Sequence, residues 1–599
     1  MLRLIVVLSW LCVLLAVGKK RNVLLFVGDD AGFETQVYNN SVCKTPGLMA
    51  LAQRGIIYQN AFTSVSSCSP SRSSILTGLP QHQNGMFGLH NGVHNFNSFD
   101  GIQSLPVLLQ KAGIRTGIIG KKHVGPESVY TFDFAVTEEQ VSVNKAGRNI
   151  TFMKEMVAQF FRNVSQDQPF FLYIAFHDPH RCGSTNPEFG QFCEKYGNGQ
   201  AGMGIIPDWK PTLYSPDEVI VPYFVPDTPA ARQDIAAQYT SVDRMDQGIQ
   251  LIMKELENQG HLNDTLVMFT SDNGIPFPNG RTNVYNSGIA VPFILSSPED
   301  TSSWGKTNDS LMTLLDVVPT ILDWFNLSYP NYTLEGNAVT LTGTSLLPTT
   351  SASDNFTTDV DTGNILQKKL TSRLERDFVF ASHSLHEITM YYPMRSLRSS
   401  RFHLIHNINF KMPFPIDQDF FVSPTFQDIL NRTRYNLPLH WFKTLKEYYY
   451  REQWELYDLA QDPKETVNVA KMEQYSIVLT TLQMYLNQWL NVTSDPWICA
   501  PNGVLEFQGV YKNSPQCLSL ENLLGDGELA VMRSKGISLM RDTAEEQVVF
   551  YPSEYVYMRY TVAETPHVVY VLCVCSALTT LLLVLIYKRK QKYYYLNIF

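Results

Sequence analysis

Four stretches of the chain share one pattern: an apolar run, rich in aliphatic, β-branched and aromatic residues, stops at a polar cluster. Asn22-Val-Leu-Leu-Phe-Val27 stops at Gly28-Asp29-Asp30, and Thr116-Gly-Ile-Ile119 at Gly120-Lys121-Lys122-His123. Phe170-Phe-Leu-Tyr-Ile-Ala-Phe176 stops at His177-Asp178-Pro179-His180, and Leu266-Val-Met-Phe-Thr270 at Ser271-Asp272-Asn273-Gly274. Such runs, alternating with helical patterns, predict an α/β fold with a large, mostly parallel sheet flanked by helices. Ligands of open α/β sheets bind beyond the carboxyl ends of the strands. Four polar strand ends therefore predict one shared site.

The two ends of the chain predict its compartment. A basic residue at Arg3, an uncharged apolar run from Leu4 to Val17 and small residues at Ala16 and Gly18 describe a secretory signal peptide over 1–18. Val568 to Tyr587 carries no charge and would measure about 30 Å as a helix, enough to cross a bilayer. Lys588, Arg589, Lys590 and Lys592 follow at once, so a membrane helix is expected over 567–587 with a cytoplasmic tail over 588–599. Glycosylation sequons at Asn39, Asn149, Asn163, Asn263, Asn308, Asn326, Asn331, Asn355, Asn431 and Asn491 fit a lumenal glycoprotein, with Asn39, Asn149, Asn263 and Asn431 as candidate acceptors.

Of nine cysteines, Cys12 lies in the leader and Cys573 and Cys575 in the C-terminal apolar stretch. Cys182 with Cys193, and Cys499 with Cys517, are the close pairs expected to form disulfides in an oxidising lumen. The sequence does not prove this connectivity, and Cys43 and Cys68 are left over.

Composition narrows the function. With 44% hydrophobic and 17% charged residues, the 599-residue chain has the makings of a sizeable core and is no disordered tract. A net charge of -9 excludes a general nucleic-acid coat, so an anionic substrate must be drawn by a local group of cations. A catalytic α/β domain is expected over 19–375 and a smaller α+β domain over 376–517. Between them the polar, Thr-rich stretch Ser351 to Gly363 reads as a linker, and 518–566 has no assigned role.

Asp29, Asp30, Asp272 and Asn273 offer only oxygen donors, which favour calcium or magnesium over zinc. In Ser66-Ser67-Cys68-Ser69-Pro70-Ser71-Arg72, the proline and the helix-compatible residues after it place Cys68 at a helix N-terminus, where aligned N–H groups favour negative charge. A reactive thiol would be a liability in an oxidising lumen, so Cys68 is expected not to remain cysteine.

Cys68-x-Pro70-x-Arg72 followed by Leu76-Thr77-Gly78 resembles the signature of the sulphatase family, in which the cysteine is oxidised to formylglycine. Gly120-Lys121-x-His123, the Asp272-Asn273-Gly274 strand end, and Glu455-Leu-Tyr-Asp458 with Asp462-Pro463-x-Glu465-x-x-Asn468 resemble other motifs of the family. Three longer segments resemble its branch acting on N-sulphated glucosamine: Gln81-His-Gln-Asn-Gly-Met86, Phe176-His-Asp-Pro-His-Arg-Cys182 and Asn409-Phe-Lys-Met-Pro-Phe-Pro-Ile-Asp-Gln-Asp-Phe420. The resemblance runs from about Asn22 to Cys517 and implies an alkaline-phosphatase-like sulphatase fold with a smaller C-terminal α+β domain. Arg281 stands where many members carry a second lysine, and the C-terminal span lies outside the pattern of that branch, whose members are soluble and lysosomal.

The resemblance also implies a mechanism. Formylglycine at position 68, hydrated and activated by one calcium ion on Asp29, Asp30, Asp272 and Asn273, with position 68 itself as a further ligand, takes sulphur from the nitrogen of a terminal glucosamine in a heparan sulphate-derived glycan. His180 is the expected acid for the leaving amine, and His123 accepts the proton that lets the sulphate ester collapse. Lys121 and Arg281 offset charge on the sulphuryl oxygens, Arg72 holds the formylglycine hydrate, and Asp178 contacts the substrate nitrogen or orients His180. His177 is assigned to packing. Implied partners are the formylglycine-generating enzyme and a second copy of the chain in a homodimer. The alternatives are an O-sulphatase of another glycan, a two-zinc phosphatase or phosphodiesterase of the related superfamily, or an inactive glycan-binding membrane protein.

Overall fold

The computed structural model describes residues 21–519 apart from 166, 184–187, 335–336, 349–376, 507–508 and 512–514. The expected leader, the linker Ser351 to Gly363, the membrane helix over 567–587 and the tail lie outside the described residues. Among the described residues, no helix is long and apolar enough to cross a membrane.

The large sheet has eight strands: β1 (Asn22–Asp29), β2 (Ile56–Phe62), β3 (Arg115–Gly120), β4 (Phe134–Thr137), β5 (Phe170–Pro179), β6 (Thr265–Ser271), β7 (Phe293–Ser296) and β8 (Lys306–Thr313). Their order is β4-β3-β5-β1-β6-β7-β2-β8, and every pairing is parallel except those of β7. The four apolar runs thus become four adjacent parallel strands, β3-β5-β1-β6. Each runs one to three residues further than the apolar pattern, because the polar residues that follow are still paired. Register sets the site: Asp29 lies beside Pro179, Gly28 beside Ser271 and Gly120 beside Ala175.

The apolar runs are unbroken because both faces are covered. Leu24 and Phe26 pack with Met153, Val157 and Phe160 of one helix (Ile150–Arg162) and Ile235, Val242 and Ile249 of a longer one (Pro229–Asn258). Val23, Leu25 and Val27 face the other way, towards Ile75, Leu76, Val318 and Ile321. Each such buried side chain contributes about 1.5–3 kcal/mol, and a one-residue slip would send every one of them to the wrong face.

A second, antiparallel sheet has four strands in sequence order: β9 (Val379–His383), β10 (Met394–Arg398), β11 (Phe402–Asn407) and β12 (Trp454–Asp458). One face carries the helix Ser476–Val492, with Trp489 stacked on Phe380 at 4.3 Å. The other face shares a core with Phe62, Val284, Tyr285 and Ile289 of the large-sheet half. Both sheets belong to one compact unit that runs to Pro501. In the unit beginning at Asn502, Gly503–Glu506 pairs with Gln516–Ser519 in an antiparallel hairpin.

Cys182 is bonded to Cys193. Cys499 and Cys517 are each disulfide-bonded, while Cys43 and Cys68 are buried thiols. Asn39, Asn263 and Asn431 are exposed. Asn149 is half-buried, and its Oδ1 caps the following helix by accepting from the Phe152 amide at 3.1 Å.

Candidate active site

The helix α1 (Cys68–Thr77) begins where the strand ends converge. Ser67 precedes it in extended conformation, and all ten helical residues are buried. Gly78 closes the helix at φ 70, where a side chain would be strained and a Cβ would come 2.6 Å from Leu341. Cys68 Sγ lies 4.0 Å from Asp30 Oδ1, and burial raises its thiol well above the ordinary range despite the nearby Lys121.

Arg72, one turn along, has every donor engaged. Nε donates to Asp272 at 3.0 Å and Nη2 to Asp29 at 3.1 Å, with Asp272 also 2.8 Å from Nη2. Nη1 donates to the Lys121 carbonyl at 3.2 Å and to the Tyr173 hydroxyl at 3.3 Å. In this arrangement Arg72 orients the carboxylates of Asp29 and Asp272 beside position 68. Lys121 Nζ completes the lock at 2.5 Å from Asp29 Oδ2.

Burial works to raise the Asp29 carboxyl, but Lys121, His180, Arg72 and His177 outweigh it and hold it well below the usual range. Asp272 goes the other way: burial pushes it to about 7 against the pull of Arg72, with Asp29 and Asp30 adding to the rise. Three carboxylates so close repel one another unless a cation sits among them.

The residues fit a divalent cation of the hard, oxygen-loving kind. Asp29, Asp272 and Cys68 bring one donor atom each within 4.8 Å of one another. Asp30 sits at φ 59, a left-handed conformation that Asp tolerates better than most residues. Asn273 donates from Nδ2 to Asp30 at 2.7 Å, while its buried Oδ1 has no hydrogen-bond partner among the described residues. An orphaned amide oxygen among carboxylates is a donor set for calcium.

A cavity of about 700 Å³ opens over these groups, lined by Cys68, Lys121, His123, His177, His180 and Arg281 among others. His180 Nδ1 faces the Arg181 carbonyl at 2.8 Å and therefore carries the proton. Its Nε2 lies 3.0 Å from Arg281 Nη1 and 3.7 Å from Asp30, so it accepts as placed and acts as an acid only after taking up a proton. Burial lowers its pKa against the pull of Asp30. His123, at φ 53, has both ring nitrogens buried without a partner among the described residues, free to meet a substrate.

Asp178 is placed elsewhere. Its carboxylate is taken by Arg148 and by Arg244, at 2.7 and 2.8 Å from the latter, and is fully buried behind the cavity wall. Of its two expected roles, contact with the substrate nitrogen finds no opening here, while the orienting of His180 has an indirect route, since Arg148 also donates to the His180 carbonyl at 2.8 Å. The packing role expected of His177 is corrected too: its ring lines the cavity and its Nδ1 pairs with Glu138 at 2.9 Å.

The second sheet's half supplies groups that the sequence reading did not assign. Arg281 Nη2 donates to both Asp417 and Asp419, while its Nη1 lies 2.6 Å from Asp30. His386 Nδ1 pairs with Ser67 Oγ at 2.9 Å, directly before Cys68. Asp417 and Asp419 stood inside the segment Asn409 to Phe420 that carried the resemblance. No strand end or spacing marked them, and only a long-range ion pair brings them to the site.

The chain belongs to the sulfatase family, whose pattern it matches over residues 21–327, and it is a hydrolase of that class. It is 57% identical to the human N-sulphoglucosamine sulphohydrolase over 508 residues, which span 85% of this chain and 96% of that protein. An ulvan-active sulfatase of Formosa agariphila is 24% identical over 516 residues, 80% of this chain and 76% of that one. In fold it resembles a protein solved in complex with its substrate D-glucosamine-2-N,6-O-disulfate (TM-score 0.53, 19% identity, 80% of this chain and 99% of the other).

Proposed function

We propose that this chain removes the N-sulphate from terminal glucosamine residues of heparan sulphate-derived glycans in the lysosome. The likeness to the human N-sulphoglucosamine sulphohydrolase over nearly that protein's whole length carries this reading. The cavity supports it, being large enough for a terminal sugar and lined at its floor by Cys68, Lys121 and Arg281.

Calcium held by Asp29, Asp30, Asp272 and Asn273 would supply positive charge against which a hydroxyl at position 68 ionises. A formylglycine made from Cys68 by a separate maturing enzyme would supply that hydroxyl when hydrated. Lys121 and Arg281 draw the sulphamate anion to the floor of the cavity and offset charge on its oxygens. Arg72 holds Asp29 and Asp272 in fixed orientation. His180 Nε2, once protonated, gives a proton to the departing nitrogen, and the unpartnered ring of His123 takes one from the hydroxyl side. The soluble catalytic unit would work as a homodimer, and the predicted span at 567–587 would hold it at a lumenal membrane face.

Incubation with an N-sulphated glucosamine end and with a 6-O-sulphated, N-acetylated analogue, beside a Cys68→Ser control, tests the reading. Sulphate from the first and none from the control is expected. Sulphate from the O-sulphated sugar alone would reassign the substrate.

A further inference from the structure

Arg281 poses an electrostatic puzzle. A cation that is to receive an anionic group is clamped by two carboxylates from the second sheet's half, Asp417 and Asp419, in addition to Asp30. One carboxylate would fix the guanidinium. The two are not equivalent: Asp417 is buried away from the cavity, whereas Asp419 lines it, with Oδ2 3.8 Å from His180 Nε2. A negative charge beside an anion site weakens binding of sulphate itself.

The chemistry of the leaving group resolves the puzzle, on the reading proposed above. Sulphamate hydrolysis runs R–NH–SO3⁻ + H2O → R–NH3⁺ + SO4²⁻. The S–N bond breaks, its electron pair goes to nitrogen, and nitrogen ends with two more protons and a positive charge. Ester hydrolysis runs R–O–SO3⁻ + H2O → R–OH + SO4²⁻ + H⁺ and leaves a neutral alcohol. The two leaving groups thus differ by one N–H donor at the start and one positive charge at the end, both of which a carboxylate next to the acid His180 distinguishes.

We infer that Asp419 is the specificity-determining residue for sulphur–nitrogen over sulphur–oxygen bonds, its carboxylate receiving the sulphamate N–H and complementing the ammonium as it forms. The charge states agree with this placement. Burial pushes Asp417 up to about 7, while Arg281, outweighing the burial of Asp419, keeps that carboxyl well below the ordinary range. Asp417 therefore serves Arg281, and Asp419 holds the lasting negative charge that faces the cavity.

The measurement is the ratio of kcat/KM for N-sulphoglucosamine to kcat/KM for an aryl O-sulphate. Asp419→Asn is expected to lower that ratio about 30-fold, and Asp417→Asn, which loosens Arg281 for both substrates, to move it less than about 3-fold. A ratio unchanged in Asp419→Asn, or shifted equally in both variants, overturns the inference. Wild-type protein gives a second reading that no folding defect can spoil. Glucosamine should inhibit about 10-fold more tightly than N-acetylglucosamine, and equal inhibition would overturn the assignment. Failure of the wild-type chain to release sulphate from the N-sulphated sugar would remove the proposed function itself. Turnover with an unmoved ratio removes only the role of Asp419.

Discussion

On one side of the site Asp29, Asp30, Lys121 and Asp272 stand buried at or just beyond the ends of adjacent parallel strands, fixed by a register that the sheet's core enforces, with Lys121 reaching the cavity lining. Across from them, Asp419 and His386 sit in connections of the antiparallel half and reach the first wall through Arg281 and Ser67. The first wall is rigid because backbone ladders hold it, and Arg72 spends all its donors inside it. Among the described residues, the second has no sheet ladder across to the first and is joined to it by the ion pairs of Arg281, the Ser67–His386 hydrogen bond and isolated backbone bonds such as Leu89 N–H to the His386 carbonyl at 2.9 Å. Chemistry common to the whole family belongs on the first kind of support, and discrimination between substrates on the second, where a loop can change without disturbing the sheet.

The contrast can be broken at several points. Cys68→Ser should cut sulphate release by about 10³-fold or more with no change in thermal midpoint, and turnover near the wild-type rate would refute the role of position 68. Arg72→Ala leaves Asp29 and Asp272 buried without their partner and should cost about 3–5 kcal/mol of stability, read by denaturant unfolding. A loss below about 1 kcal/mol would show that the first wall does not depend on it. Calcium should raise the thermal midpoint by an amount worth about 2.7 kcal/mol at a hundred times its Kd, and Asp29→Asn should abolish the rise; an equal rise in that variant would place the ion elsewhere.

The seam between the halves gives a smaller, pH-dependent effect. His82 lies 3.3 Å from Asp495, which Arg395 of β10 holds at 2.6 Å. Burial lowers His82 to about 4, with Asp495 pulling it back up and Arg395 pushing it further down. The unfolded chain, near 6.5, takes up its proton first, so stability is full above pH 6.5 and falls as pH drops towards 4. At pH 5 the loss is about 2 kcal/mol. Asp495, held near 2 by Arg395 despite its burial, adds its own loss only below about pH 4. His82→Gln should flatten the slope of stability between pH 6.5 and 4, and an unchanged slope would assign it to other groups. Smallest of all, Asp417→Asn should lower kcat/KM about 10-fold with the fold intact. A loss as large as that of Cys68→Ser would erase the distinction between the walls.

The same contrast explains what could be read from the chain beforehand. Unbroken apolar runs ending in Asp29, Lys121, His177 and Asp272 announce buried parallel strands, and the carboxyl-end rule then gathers their tips. Asp417 and Asp419 follow no periodicity, because their place depends on a pairing with Arg281 across 136 and 138 residues. The choice between the two roles of Asp178 was open for a related reason: nothing local signals that Arg148 and Arg244 will claim a carboxylate next to a histidine. That Arg72 has its donors engaged by Asp29, Asp272, the Lys121 carbonyl and the Tyr173 hydroxyl could not be read locally, since these four partners come from four separate segments.

The position of β1 has a consequence for maturation. This strand, near the start of the chain, lies between β5 and β6, so its second neighbour is absent until Ser271 has been made. Cys68 ends 1% exposed inside a helix whose every residue is covered. On the proposed reading, an enzyme that converts that thiol to formylglycine would have to meet it while the sheet is still open. Roughly 200 residues separate Cys68 from the end of β6, and synthesis at about 5–20 residues per second leaves a window of roughly 10–40 s. On that reading, the timing of synthesis, more than any surface of the finished molecule, would decide whether the nucleophile is made.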